Sequence, residues 1–455
     1  MRYIHAKQIL TPGGWKANVQ VGIDMDGRIA YLGPKTSSDS QSVDLLLPAP
    51  VNLHSHTFQR AMAGLTEARG PNPKDSFWTW RTLMYRFLDQ LNPEQIEAIA
   101  TLVFMEMLEA GYAGVCEFHY LHHNVGGRAY ENLSELSERI VKAAQTTGIG
   151  LTLLPVLYQF GGCDKRQLQG GQRRFWNDPD QFADLHQAAA KTITTSSPDY
   201  NIGVAPHSIR AVDADGLNAI VNLCPKGPIH LHLAEQVAEV EEVRAHLHAR
   251  PTEWLLDNHD VDPRWCLIHC TQMTADETRR LAQTKAVAGL CPITESNLGD
   301  GIFNGTQYLG AGGTIGMGSD SNVHISLFEE LKTLEYSQRL RDRSRAALAT
   351  QDRSTGRVLL DATLKGGAQA AGRNAGAIQI GMLADMIGLE TDNQWLCNRQ
   401  GDTALDSLIF GGNGQNCITD VWGAGRHVVK QGQHPQRRAI IQNFVATITE
   451  LGQTI

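Results

Sequence analysis

The sequence predicts an α/β chain: a (β/α)8 barrel of the TIM type, with a small β-sandwich domain built from both chain ends. Three observations predict it. Through the middle of the chain, apolar runs of strand length alternate with long helical patterns. Eight such units follow in a row, which argues for a closed barrel rather than an open sheet. Short strands separated by glycine turns recur at both ends, and neither end is large enough to form a core alone.

Residues 1–47 read as "RYIHAKQIL", a "PGG" turn, "ANVQVGID", "MDGR", "IAYLGPK" and a Ser-rich linker, a hairpin-rich half of the β domain. The barrel is expected over 48–374. Its strand runs are "LLLPAPVNLHSH", "GVCEFHY" (114–120), "GLTLLPVLY" (150–158), "IGVAPHS" (202–208), "PIHLHLAE" (228–235), "WCLIHC" (265–270), "VAGLCP" (287–292) and "TIGMGSD" (314–320). After the first run, "NPEQIEAIATLVFMEMLEAGY" places apolar residues at i, i+3, i+4 and i+7, with Asn92 as its cap. Residues 375–455 return to strands and glycine turns, in "GAIQIGMLADMIGLE" and "ITDVWGAGRHVVKQGQ", and supply the other half of the β domain.

Composition narrows the function class. With 42% hydrophobic and 19% charged residues over 455 positions, the chain is a folded, enzyme-sized unit rather than a disordered one. A net charge of −8 gives no basic field, so neither nucleic acid nor an anionic membrane is an expected partner. The N-terminus lacks a charged-then-apolar signal pattern and no 18-residue apolar stretch occurs, so a cytoplasmic location is expected. The eight cysteines include no CxxC, which suits reduced, buried thiols. Two arginine clusters stand out: "GGQRRFW", with Arg173 and Arg174, and "SQRLRDRSRAA" from Gln338, the latter expected to be a solvated helix face.

Six of the eight runs carry His, Glu or Asp at their last or next-to-last position, at the end where barrel enzymes do their chemistry. In a strand, i and i+2 face the same way, so His54 and His56 can reach a single ion. His232 is the natural third nitrogen ligand and Asp320 the fourth, a set that suits Zn²⁺ or a similar divalent ion with a position left for water. His230 points to the same face as His232. His232 is preferred because "HLAE" sets Glu235 just past the strand end, where its carboxylate can reach that water. His269, ending the sixth run, becomes an electrostatic partner for a hydroxide there.

"NLHSH", "HLAE", "LIHC" and "GSD", in this order and separation, resemble the amidohydrolase superfamily. Its members combine such a barrel with a β domain from both ends, and "GMLADMIGLE" looks like the strand that returns to that domain. The fourth run has no lysine of the kind that, carbamylated, bridges two metals, which points to the mononuclear deaminase branch. Within that branch the chain resembles the formimidoylglutamate deiminases of histidine degradation, through "NLHSHTFQRAMAGL", "NPKDSFWTWRTLMYR", "CEFHYLHH", "HSIRAV", "HLAEQ" and "TESNLGDGIF". One departure, "PAP" at 48–50 in place of the usual "PG", touches a turn and no ligand.

The resemblance implies hydrolysis of N-formimino-L-glutamate to N-formyl-L-glutamate and ammonia, with one divalent ion per subunit, Zn²⁺ foremost and Fe²⁺ suited to the same ligands, in a homodimer. Asp320 would take the proton of the water, His269 would hold the hydroxide, and Glu235 would protonate first the formimino nitrogen and then the departing ammonia. A dicarboxylic small-molecule substrate needs cations, and planar guanidinium forks fit carboxylates best. Arg210 is the first candidate, with His207 and Tyr120 beside it; the resemblance adds Gln59 and Arg81, the latter in its own or a neighbouring subunit. Two other readings compete: a mononuclear deaminase of a guanine-like heterocycle, and a non-catalytic amidohydrolase-like interaction protein. The arginine-rich mouth argues against the first, and the full ligand set, in order, against the second.

Overall fold

The computed structural model describes residues 1–67 and 84–452. The β domain, expected as a sandwich, hydrogen-bonds its strands into one continuous seven-stranded sheet. Their order is Arg426–Lys430, Ile418–Gly423, Met386–Leu389, Gln41–Pro48, Arg2–Thr11, Gly14–Ile23 and Ile29–Gly33. The seam between the two chain ends is the antiparallel pairing of Met386–Leu389 with Gln41–Pro48. Its apolar core includes Ile4, Ile9, Val21, Ile23, Leu46, Met386 and Trp422.

The run "LLLPAPVNLHSH" is not one strand but two. Gln41–Pro48 belongs to the seven-stranded sheet, and Val51–Ser55 opens the barrel. Pro50 has no N–H to extend a ladder, so the chain changes sheets there. The barrel itself is parallel throughout. One arc holds Val51–Ser55, Gly114–His119 and Gly150–Leu157, the last paired to two short pieces, Asn201–Ile202 and Ala205–Pro206. The other holds Ile229–Leu233, Trp265–His269, Val287–Leu290 and Thr314–Met317. Single parallel bridges close the ring, Val204 to Ile229 and Ser208 to His232 at one seam, Ser55 to Asp320 at the other.

The helix Pro93–Glu109 begins at Asn92, whose side chain accepts from Gln95 N while the Gln95 side chain accepts from Asn92 N. Such a cap contributes about 1 kcal/mol. The strand-and-glycine texture of 375–455 also contains two helices, Asp402–Phe410 and Arg437–Leu451. The second leaves the sheet and packs Ile440, Ile441 and Phe444 on Leu102 and Met105 of Pro93–Glu109. Its apolar residues recur at helical spacing, a signal that the neighbouring strands mask.

Neither arginine cluster is a plain solvated face. Gln338 is fully buried, Arg339 pairs with buried Glu335 while lying over the Tyr336 and Phe410 rings, and Arg341 reaches Phe303 O. Arg174 is buried, and its guanidinium donates to Leu88 O, Leu91 O and His123 O. Between the barrel and the β domain, buried Arg373 pairs with Asp385 at 3.1 Å and Asp199 at 3.5 Å, and Arg426 pairs with the same Asp199 at 2.7 Å. All eight cysteines are free and six are buried. Among the described residues, no helix is long and apolar enough to cross a membrane.

Candidate active site

Four ligand groups converge at the C-terminal mouth of the barrel. His54 is the next-to-last residue of the first strand, His56 follows that strand, His232 lies in the fifth, and Asp320 follows the eighth. Their ligand atoms all lie within 4.8 Å of one another, and all four side chains are buried. Main-chain bonds set the register: His56 N donates to Asp320 O, and both Ser319 N and Asp320 N donate to His54 O. Gly318 permits this approach, because a Cβ there would stand 2.7 Å from the His54 Cβ. Asp320 itself adopts φ 47°, a left-handed conformation that few non-glycine residues take.

Hydrogen bonds behind the rings decide which nitrogen faces the centre. His56 Nδ1 donates to Phe118 O at 3.0 Å and His232 Nδ1 to His207 O at 3.2 Å, since a carbonyl only accepts. Each therefore presents a bare Nε2 lone pair. His232 Nε2 stands 3.1 Å from His54 Nε2, and Asp320 Oδ1 stands 3.3 Å from His54 Nε2 and 3.2 Å from His56 Nε2. Bare lone pairs on His56 and His232 that converge with His54 Nε2 and a carboxylate are donors that a cation draws together. The donor set thus fits a divalent metal.

Electrostatics agree with that chemistry. Burial lowers the His54 pKa to about 3, aided by the His56 charge, and burial lowers His56 to about 4 and His232 well below its ordinary value. Neutral imidazoles are the ligand form. For Asp320, burial pushes upward, but the neighbouring His54, His56 and His269 more than offset it, and the carboxylate stays ionised. Glu235 goes the other way: burial, with Asp320 and Glu239 nearby, pushes it up to about 7. Its Oε1 lies 3.8 Å from His269 Nε2, and His269 Nε2 lies 4.0 Å from Asp320 Oδ2. Burial disfavours a charged His269, yet the Glu235, Glu295 and Asp320 carboxylates outweigh it and raise its pKa.

Around this centre lies a cleft enclosing about 520 Å³ of space, open solvent included. Of the sequence-derived residues, His56, Gln59, Tyr120, His207, Arg210, His232, Glu235, His269 and Asp320 line it. Tyr120 packs its ring on His56, and its hydroxyl lies 3.1 Å from His207 Nε2. Among the described residues the buried amide oxygen of Gln59 has no hydrogen-bond partner, while its nitrogen contacts Met84 Sδ. Arg81 lies outside the described residues. His230, on the same strand as His232, is tied away from the mouth by its bond to Ala370 O.

Sequence reasoning missed part of the wall. Tyr85, Tyr158, Phe175 and Leu298 also line the cleft. Tyr158 had a signal, since it ends the third run just as His and Asp end others. Glu117 was missed too; its Oε1 accepts from Thr57 N and Thr57 Oγ1, both at 2.8 Å, and so fixes the turn after His56. Arg60, in "TFQR", is a strut rather than a cleft residue: it donates to Asn322 O and Val323 O and pairs with Glu106.

Comparison with known proteins gives this site a context. The amidohydrolase family model matches residues 45–428, and that of the formimidoylglutamate deiminase HutF N-terminal domain matches residues 1–41. The formimidoylglutamate deiminase of Pseudomonas aeruginosa is 45% identical over 455 residues, spanning 99% of this chain and 100% of its own. A crystal structure of an amidohydrolase from Brucella melitensis, also 45% identical, superposes with a TM-score of 0.95 over 99% of this chain and 100% of that one. An adenosine deaminase from Xanthomonas campestris with bound zinc, 20% identical, shares the fold at a TM-score of 0.80 over 100% and 98%. Matched over most of its length and across its full extent, the chain belongs to the amidohydrolase family, and within it to the formimidoylglutamate deiminases.

Proposed function

We propose that this chain is a metal-dependent hydrolase that converts N-formimino-L-glutamate and water to N-formyl-L-glutamate and ammonia, a step of histidine degradation. The observation that carries the reading is the placing of Arg210 in the same small cleft as the four-ligand cluster and Glu235. A neutral heterocycle gains little from a guanidinium there, whereas a dicarboxylate does. Full-length similarity to the Pseudomonas aeruginosa enzyme supports it.

His54, His56, His232 and Asp320 would hold the ion, which supplies Lewis-acid activation of water at neutral pH. Asp320 Oδ2, the oxygen turned toward His269, accepts the proton that the water loses as it adds to the formimino carbon. His269 Nε2, 4.0 Å from that oxygen, orients the water. Glu235, held as an acid by its raised pKa, protonates the terminal imino nitrogen. As the C–N bond breaks it relays the proton taken by Asp320 to the same nitrogen, ammonia leaves, and the proton remaining on the added oxygen passes through Asp320 back to Glu235, which leaves a formyl C=O and restores the acid. Arg210, with Tyr120, His207 and Gln59, receives the carboxylates and backbone of the substrate. The reading takes Zn²⁺ as the ion, a cytoplasmic homodimer as the working form, and Arg81 as a second carboxylate partner.

Ammonia release by the metal-loaded chain from N-formimino-L-glutamate, measured beside guanine, tests the reading. Turnover of the first alone is expected, and its absence sinks the proposal. In the same assay Arg210→Ala is expected to lose about 2–5 kcal/mol of transition-state binding in kcat/KM.

A further inference from the structure

Glu295, on the short helix Pro292–Leu298 after the seventh barrel strand, takes no part in the chemistry above. We propose that it is a positioning residue that fixes the His269 ring; only the kinetic arm of its test rests on the deiminase reading. Glu295 Oε1 lies 3.3 Å from His269 Nδ1, and the same oxygen accepts from Cys291 N at 2.9 Å. Glu295 N in turn donates to Cys291 O at 2.8 Å. The carboxylate is therefore tied to the start of its own helix before it meets the imidazole.

A carboxylate oxygen held this way accepts, so Nδ1 of His269 keeps its proton and Nε2 is turned to Glu235 and Asp320. The backbone beneath the ring is unusual: His269 and Cys270 are successive non-glycine residues at φ 71° and 54°, a left-handed conformation that few such residues adopt. A carboxylate behind a functional imidazole sets both tautomer and orientation.

His269, Cys291 and Glu295 also bring their ligand atoms within 4.8 Å of one another, the spacing of a small cation site. The hydrogen bonds use those atoms differently. Glu295 Oε1 already faces two N–H groups, and a metal on Nδ1 would displace the proton that the geometry places there. A hydrogen-bonded pair accounts for the cluster without an ion.

The test compares Glu295→Ala and Glu295→Gln in the metal-loaded full chain. For Glu295→Ala, kcat on N-formimino-L-glutamate is expected to fall about 10–100-fold with KM within about threefold and bound metal unchanged. Glu295→Gln, whose amide oxygen still accepts from Nδ1, is expected to recover most of kcat. Unchanged kcat in the alanine variant, or equal loss in both, overturns the proposal. A substrate-free arm reads the imidazole nitrogens of wild-type protein labelled with ¹⁵N-histidine, with the His269 signals assigned by their loss in His269→Asn. A protonated Nδ1 is expected, and a tautomer with its only proton on Nε2 overturns the proposal even where a variant fails to fold. Wild-type protein inactive on N-formimino-L-glutamate would sink the deiminase reading, and the spectrum alone would then decide the role of Glu295.

Discussion

The histidines of this chain are sorted by what stands behind each ring. His230 and His232 share a strand and a face, so alternation cannot tell them apart; depth along the barrel axis can, and it is set by where the strand ends. His119 is a different case. Its neighbour Phe118 packs on the His54 and His232 rings, so His119 points away from the site, fully buried and, among the described residues, with Nε2 unpartnered. Burial lowers its pKa to about 3. Its neutral form is bound in the fold, so stability is whole above pH 6.5 and declines as pH falls from there toward 3, where the unfolded chain takes a proton the fold refuses. The expected contribution is about 1.4 kcal/mol per pH unit in that window. Urea unfolding of wild type and His119→Asn between pH 7.5 and 4.5 checks it, and parallel pH slopes would refute it.

Among elements, the junction of the first and eighth barrel strands shapes the site most. Asn52 Nδ2 donates to Ser319 Oγ, Ser319 Oγ to Asn322 Oδ1, and Asn322 Nδ2 to Ser55 Oγ and Asp320 O, all buried. This polar clasp aligns His54 and His56 with Asp320. Asn322→Ala is expected to weaken metal binding about 10–100-fold. Competition with a chromophoric chelator measures it, and an unchanged dissociation constant would count against the clasp. The ligands were legible in the sequence because each ends an apolar run. The clasp was not, since Asn52 and Asn322 acquire meaning only when two distant strands are neighbours. The same limit hid the split of "LLLPAPVNLHSH", where a proline pair separates two sheets without interrupting the apolar run, and it hid Glu295, which reaches the site from a helix.

Across the whole molecule, Arg373 joins the two domains. Its guanidinium meets Asp385 from the return strand and Asp199 from the barrel, while Asp385 also accepts from Ala424 N. Asp385→Ala leaves a buried cation short of a partner and is expected to cost about 3–5 kcal/mol of stability. Urea unfolding at pH 7 checks this, and a loss below about 1 kcal/mol would contradict it. The barrel and the pairing of chain ends were readable from alternation and turn residues. The C-terminal helix was not, because its partner surface on Pro93–Glu109 lies far along the chain.

The junction of the first and eighth strands also sets a timetable. Asn52 and its partner Ser319 are 267 residues apart. At a synthesis rate of about 5–20 residues per second, a ribosome needs roughly 15–50 s to cover that interval. Throughout it the nascent chain carries His54 and His56 without the carboxylate opposite them, and a first strand with one edge unpaired. Gln41–Pro48, beside the N-terminal hairpin, waits longer still for Met386–Leu389. Neither domain can finish folding before its last strand emerges, so each carries an open sheet edge until then.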